Sequence, residues 1–508
     1  MHHPPARSSR RRRIVLRSGL AALGLYLLLL IPEPAPPPPK GAGQQPFVWQ
    51  RDAYWSALEA DFQNSRALGC AALAPRIDAS LEQLRALLAT AQASVLAPDG
   101  PVFDQIETNF FHLAPMVGAC PQRLPEFLEL SLRIRVVVKG QSERWSTDAP
   151  ATRRRLYRAL YGTRAAVEEV MLQAPRDQLQ PLIMGDDEPS AAPAALVRGV
   201  NVRSGDLLVS RGGAASSALI ARGNDFPGNF SHVALVHVDG PTKKVSVIEA
   251  HIESGVGVRS IEAYLAETKL RVILLRLRAN VPPLAADPLL PHQAASRAMS
   301  EAARRHIPYD FAMDHADPGR QFCSEVAAAA YQPHGVKLWM GLSHLSTPGV
   351  TGWLAALGVR HFQTQEPSDL EYDPQLRVVA EWRDPETLFK DHLDNAVLDA
   401  MLEGAERGER LDYAPLKLPL VRLAKAYSVG KNWFGAVGPV PEGMSATTAL
   451  RVQKMTATHA AIFERVLAAA EKFKAGRGYT PPSWELLRMA REAKAELAPT
   501  SPGATKKP

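Results

Sequence analysis

Cysteine is scarce in this 508-residue chain, which has only Cys70, Cys120 and Cys323. No CxxC pair occurs, and this excludes a zinc ribbon or finger. No HExxH stretch occurs either, and His306, Asp310, Asp314 and His315 show no comparable metal-ligand spacing. No cofactor is implied. Aromatic residues make up only 7% of the chain, while Ala, Arg and Pro are abundant, so helices are expected to carry much of the mass. Acidic residues are missing before Glu33, where Arg7, Arg10, Arg11, Arg12, Arg13 and Arg17 stand. Those six arginines account for nearly all of the net charge of +7, and the body is close to neutral. With no basic patch in the body, nucleic acid is not an expected partner.

The length allows two to four domains. Residues 1–17 form a basic end, expected to stay on the cytoplasmic side. Residues 18–32 read as a membrane anchor or a signal. The run Ser18–Ile31 is apolar but short for a span of about 20 residues. Pro36 follows Ala35, which disfavours signal cleavage, so an uncleaved inner-membrane anchor with the body in the periplasm is the expectation; secretion after cleavage is the alternative. Residues 33–46 are a Pro-rich linker. Residues 47–175 show helical periodicity in Leu81, Leu84, Leu88, Phe127 and Leu160, among others. Residues 176–200 look like loop. Short apolar runs at 206–210, 233–238, 245–250 and 271–277 then read as strands of an α+β domain placed at 195–384. Residues 385–497 return to helical patterning with Lys, Glu and Arg among Ala and Leu, which reads as a solvated appendage. Residues 498–508 read as a disordered tail. In an oxidising compartment the simplest arrangement of the three cysteines pairs Cys70 with Cys120 and leaves Cys323 free.

The chain is organised around Gly319–Tyr331. Pro318-Gly319 makes a turn, and Ser324–Tyr331 has helical spacing closed by Pro333. Cys323 is therefore expected at a helix N-terminus, where unpaired N–H groups and the helix dipole favour a thiolate and can hold an oxyanion. A buried, inert cysteine is the competing reading. Upstream, Asp239-Gly240-Pro241 turns one strand into the next, so His232 and Glu249 fall at the same end of neighbouring strands. A carboxylate on one imidazole nitrogen leaves the other as a base, which turns a nearby cysteine into a nucleophile.

Five blocks follow one another: Gly205-Asp206-Leu207-Leu208, Phe230-Ser231-His232-Val233, Val247-Ile248-Glu249-Ala250, Pro308-Tyr309-Asp310-Phe311 and Phe322-Cys323-Ser324-Glu325. Over about residues 202–380 the chain resembles the permuted papain-like cysteine hydrolases of the YiiX/YebB type, relatives of the NlpC/P60 enzymes. The resemblance implies an antiparallel-sheet domain with Cys323 as nucleophile, His232 as general base and acid, and Glu249 as the orienting residue. His251 shares a strand face with Glu249 and is an alternative third member. Tyr309 and Gln321 are candidate supporting residues, Tyr309 competing with a core role beside Phe311. The implied activity is hydrolysis of an amide, ester or thioester in a lipid or a peptidoglycan-derived substrate. Acyl transfer would use the same residues, and a non-catalytic envelope scaffold is the rival from another class.

Overall fold

The computed structural model describes residues 7–33, 39–49, 51–383 and 385–497. The expected disordered tail at 498–508, part of the basic end and part of the Pro-rich linker lie outside the described residues. Helix α1 runs over Arg7–Leu30. Among the described residues no helix is long and apolar enough to cross a membrane.

The periodicity after Phe47 builds helices α2 (Asp52–Leu68), α3 (Cys70–Ala93), α4 (Pro101–Ala119), α5 (Leu124–Ser142) and α6 (Gly162–Met171). Leu81, Leu84 and Leu88 recur at helical spacing on one face of α3 and are all buried. Phe110 and Phe127 stack with centroids 4.2 Å apart, joining α4 to α5. A disulfide links Cys70 at the start of α3 to Cys120 just after α4, and Cys323 is a free, buried thiol.

Seven strands form one antiparallel sheet: β1 (Leu182–Met184), β2 (Leu207–Gly212), β3 (His232–Val238), β4 (Val245–His251), β5 (Gly255–Ser260), β6 (Lys269–Leu277) and β7 (Leu376–Arg383). Their order across the sheet is β1-β7-β6-β2-β3-β4-β5. The edge strand β1 lies in the stretch read as loop; its three residues are too few to show alternation, and only pairing with β7 makes them a strand. One sheet face buries Val233, Leu235 and Ile248 against α7 (Leu290–Arg304) and α8 (Cys323–Tyr331). The other buries Ala234, Val236 and Val247 with Ile261 and Tyr264.

Of the C-terminal helices α9 (Pro385–Glu406), α10 (Leu418–Asn432), α11 (Ala446–Arg477) and α12 (Ser483–Leu497), α9, α11 and α12 are not the solvated appendage that their charge pattern implied, whereas α10 leaves most of its apolar side chains exposed. Leu393, Val397 and Met401 of α9 share a core with Ile462, Val466 and Leu486, and with Leu219 and Trp353 beside the sheet domain. Many of their charged residues cover the outward faces, but Asp391, His392 and Asp394 of α9 are buried. Trp484 stacks on Trp55, 6.0 Å between centroids, so the two helical regions touch. Where α5, α6, α9 and the sheet meet, a buried ionic cluster closes the joint. Arg271 binds Asp391 at 2.6 Å and Glu168 at 3.0 Å, His392 binds Glu168 at 3.0 Å, and Arg164 binds Glu371 at 2.6 Å.

Candidate active site

The start of α8 is held at both ends. The Glu325 carboxylate, three residues into the helix, accepts from the Phe322 N–H at 2.8 Å. At the far end the Tyr331 hydroxyl donates to the Gly205 carbonyl at 2.6 Å. Gly205 has φ +94°, and a Cβ there would fall 2.3 Å from Pro291, so only glycine fits. The next residue, Asp206, accepts both forks of Arg276 at 2.8 and 2.9 Å, which fixes the start of β2. The Gly-Asp-Leu-Leu block is thus a brace under the helix that Cys323 begins.

Cys323 is the first residue of α8 and is 5% exposed. Its thiol lies beside the backbone N–H groups of Val233, the residue after His232, and of Ser324. No hydrogen bond joins Sγ to the His232 ring. Burial pushes the thiol up to about 12, outweighing the opposing effect of those N–H groups. The expected helix-terminal thiolate is therefore corrected: a dipole and two N–H groups do not offset removal from water.

β3 and β4 pair antiparallel with Leu235 opposite Ile248 and Val236 opposite Val247. Carrying that register outward puts residue 249 opposite 234 and residue 251 opposite 232, so His232, Glu249 and His251 share one face. The His232 Nε2 is 2.6 Å from Glu249 Oε2. The His251 Nε2 is 2.9 Å from the other oxygen, Oε1, and 3.1 Å from the Arg259 Nη1. Glu249 is fully buried between the two rings. Burial pushes its carboxyl up, but hydrogen bonds from His232 and His251 outweigh this and hold it well below the usual range. Burial pushes the His232 imidazole down, against the pull of Glu249. Among the described residues, Nδ1 of His232 has no hydrogen-bond partner. His251 braces Glu249 and does not contact the same His232 atoms. The ligand atoms of His232, Glu249 and His251 lie within 4.8 Å of one another, close enough to share a metal ion.

Tyr309 is half-buried, edge-on to Phe311 with centroids 5.1 Å apart, and electrostatically coupled to Cys323. Gln321 is held through its backbone, its N–H donating to Pro308 O at 3.0 Å and its carbonyl accepting from Asp310 at 3.3 Å. That pairing places Pro308–Asp310 alongside the approach to Cys323. Sequence reasoning missed Glu366. It is buried, its Oε2 has no partner among the described residues, and burial and Asp369 push it up to about 8. Its charge would act on both Cys323 and Tyr309. A single Glu before Pro367 reads as an ordinary loop acid, and only the fold buries it.

Residues 201–380 match the family model of the permuted papain-like amidase enzymes, YaeF/YiiX, of the C92 family. This is a permuted papain-like amidase-family domain. No curated protein and no solved structure matches the chain. Within the amidase-family domain the histidine strand precedes the cysteine helix, as a permuted order requires, and the helical regions on either side lie outside the match.

Proposed function

We propose that the protein is a cysteine hydrolase that cleaves an amide, ester or thioester in the cell envelope through an acyl-enzyme on Cys323. The observation that carries this reading is the 2.6 Å contact between His232 Nε2 and Glu249, beside a helix that begins at a cysteine. The carboxylate takes Nε2 and so leaves Nδ1 to act as the base. His232 takes the Cys323 proton as Sγ attacks the substrate carbonyl. The carbonyl oxygen takes up the electron pair and is held by N–H groups at the start of α8. The imidazolium returns the proton to the leaving amine, alcohol or thiol as its bond to carbon breaks. Water, deprotonated by His232, then attacks the acyl carbon and frees the carboxylate and the thiol.

The substrate class is an acyl group of a lipid or a stem peptide of peptidoglycan. A body outside the cytoplasm agrees with the Cys70–Cys120 disulfide, since such bridges persist in oxidising compartments. In this reading α1 holds the protein at the membrane. The test is intact mass spectrometry after exposure to envelope lipids and muropeptides, with turnover measured in parallel. An acyl adduct on Cys323 is expected, and Cys323→Ala is expected to abolish both adduct and turnover while the far-UV circular dichroism is unchanged. Turnover that survives Cys323→Ala would end the reading.

A further inference from the structure

Among the described residues, seventeen of the twenty-six large apolar side chains left exposed lie in two segments, α1 with its end at Ile31 and residues 416–437 around α10. The two segments touch. The Tyr26 hydroxyl donates to Leu416 O at 3.2 Å, and Arg422 donates to Leu29 O at 3.0 Å. In α10 the apolar spacing is that of a core helix, yet the stripe faces water. Leu416, Leu420, Leu423 and Tyr427 are 73, 71, 56 and 63% exposed, and Trp433 and Phe434 beyond the helix are 81 and 87% exposed. Contiguous exposure of this kind marks a surface that meets something apolar.

Charge selects what that something is. No acidic residue occurs between Asp412 and Glu442, whereas Lys417, Arg422, Lys425 and Lys431 are all present. An acid-free basic helix carrying Leu, Tyr, Trp and Phe on its open face has the chemistry of a helix lying in the headgroup region of an anionic bilayer. Trp433 and Tyr427 suit that boundary, with an apolar ring and a polar edge.

We propose that α10, together with the exposed face of α1, is a docking surface for an anionic lipid bilayer, and that it presents the candidate active site to that bilayer. The surface is joined to the site by short contacts. Lys425 Nζ donates to Pro441 O at 2.7 Å, and the neighbouring Glu442 carboxylate is 2.7 Å from the His306 ring. Gly443 packs against Phe311, the neighbour of Tyr309, where an added Cβ would meet the ring at 2.6 Å. A cavity of about 270 Å³ opens there, bordered by Tyr309, Arg320, Met444, Ser445 and Glu33, so it adjoins both the end of α1 and the approach to Cys323. The favoured substrate is therefore an acyl group carried by a lipid at the bilayer surface. The docking surface extends the membrane part of the reading above, and the lipid substrate rests on the catalytic part.

The test uses the full chain with vesicles of phosphatidylcholine alone or mixed with phosphatidylglycerol. A bimane probe is placed at Leu423→Cys, and a control probe at the exposed Leu196→Cys, both in a Cys323→Ser background; Cys70 and Cys120 are bridged and take no label. Vesicles with phosphatidylglycerol are expected to blue-shift the probe at 423 and leave that at 196 unchanged. Leu420→Glu with Leu423→Glu is expected to lower affinity for those vesicles about 100-fold, as loss of two buried leucines implies. A chain that stays vesicle-bound while the probe at 423 remains in water overturns this proposal and leaves the anchoring role of α1 standing. A wild-type chain that ignores both vesicles overturns both membrane readings. A solution dimer that the same Glu pair dissolves, with the probe at 423 shielded without lipid, assigns the face to a second copy and overturns the proposal. None of these outcomes bears on whether Cys323 forms an acyl adduct.

Discussion

Burial acts on Cys323 and His232 in opposite directions and leaves both uncharged at neutral pH. The thiol is pushed up to about 12, and the imidazole is pushed below its ordinary value. Proton transfer must then accompany attack, with Glu249 stabilising the imidazolium as it forms, in the manner of a serine–histidine–aspartate site. The sign of the pH dependence follows. As pH falls through the lowered His232 pKa, the ring becomes a cation and can no longer accept the thiol proton, so kcat/KM drops on the acid side. Iodoacetamide labelling of Cys323 is expected to rise about tenfold per pH unit through the neutral and alkaline range, with no plateau below pH 7. A plateau below pH 7 would mean a preformed thiolate and contradict this account. Glu249→Gln is expected to lower kcat by about 10²–10⁴ and to move the acid limb further down, because Glu249 is what raises the His232 pKa. An unchanged acid limb would show that Glu249 does not set the His232 pKa.

At the scale of elements, the hairpin of β3 and β4 was legible because short apolar runs and an Asp-Gly-Pro turn are local signals. The helix start at Cys323 was legible for the same reason. β1 was not, since its identity depends on β7. The helices α3 and α4 carry the clearest stability prediction. Their disulfide spans a sequence separation of 50 residues. Closing a loop of that length restricts the unfolded chain by about 4 kcal/mol. Cys70→Ser with Cys120→Ser is expected to lower the urea midpoint of the N-terminal helical region accordingly, read by circular dichroism, with the sheet domain less affected. A midpoint that does not move would show that the bridge carries no stability.

Across the whole molecule, the joint between the helical regions and the sheet is ionic. Burial alone would push Glu168 up, but Arg271, His392 and Arg383 outweigh it and hold its pKa far below the ordinary value; Glu381 is held down likewise by Arg383, Arg164 and Arg135. A depressed carboxyl pKa contributes stability that is present above the unfolded value and lost as pH falls through the folded one. Denaturation on acidification is therefore expected to start at this joint, below about pH 4. Arg271→Met leaves Glu168 and Asp391 buried with less compensation and is expected to cost about 3–5 kcal/mol, measured as a lower Tm and urea midpoint at pH 7. A near-neutral effect would mean that the cluster is open to water.

The sequence alone determined the pairing of β3 with β4, the placing of His232 and Glu249 at the same end of that hairpin, the shared face of Glu249 and His251, and the place of Cys323 at a helix start, because each follows from spacing along a few neighbouring residues. Only the tertiary structure decided the charge state of that cysteine, the burial of Glu366 and the inward packing of α9 and α12. It also decided that the apolar stripe of α10 faces outward, although its spacing matches that of a buried helix. Spacing tells which side chains share a face; what that face meets is set by distant parts of the chain.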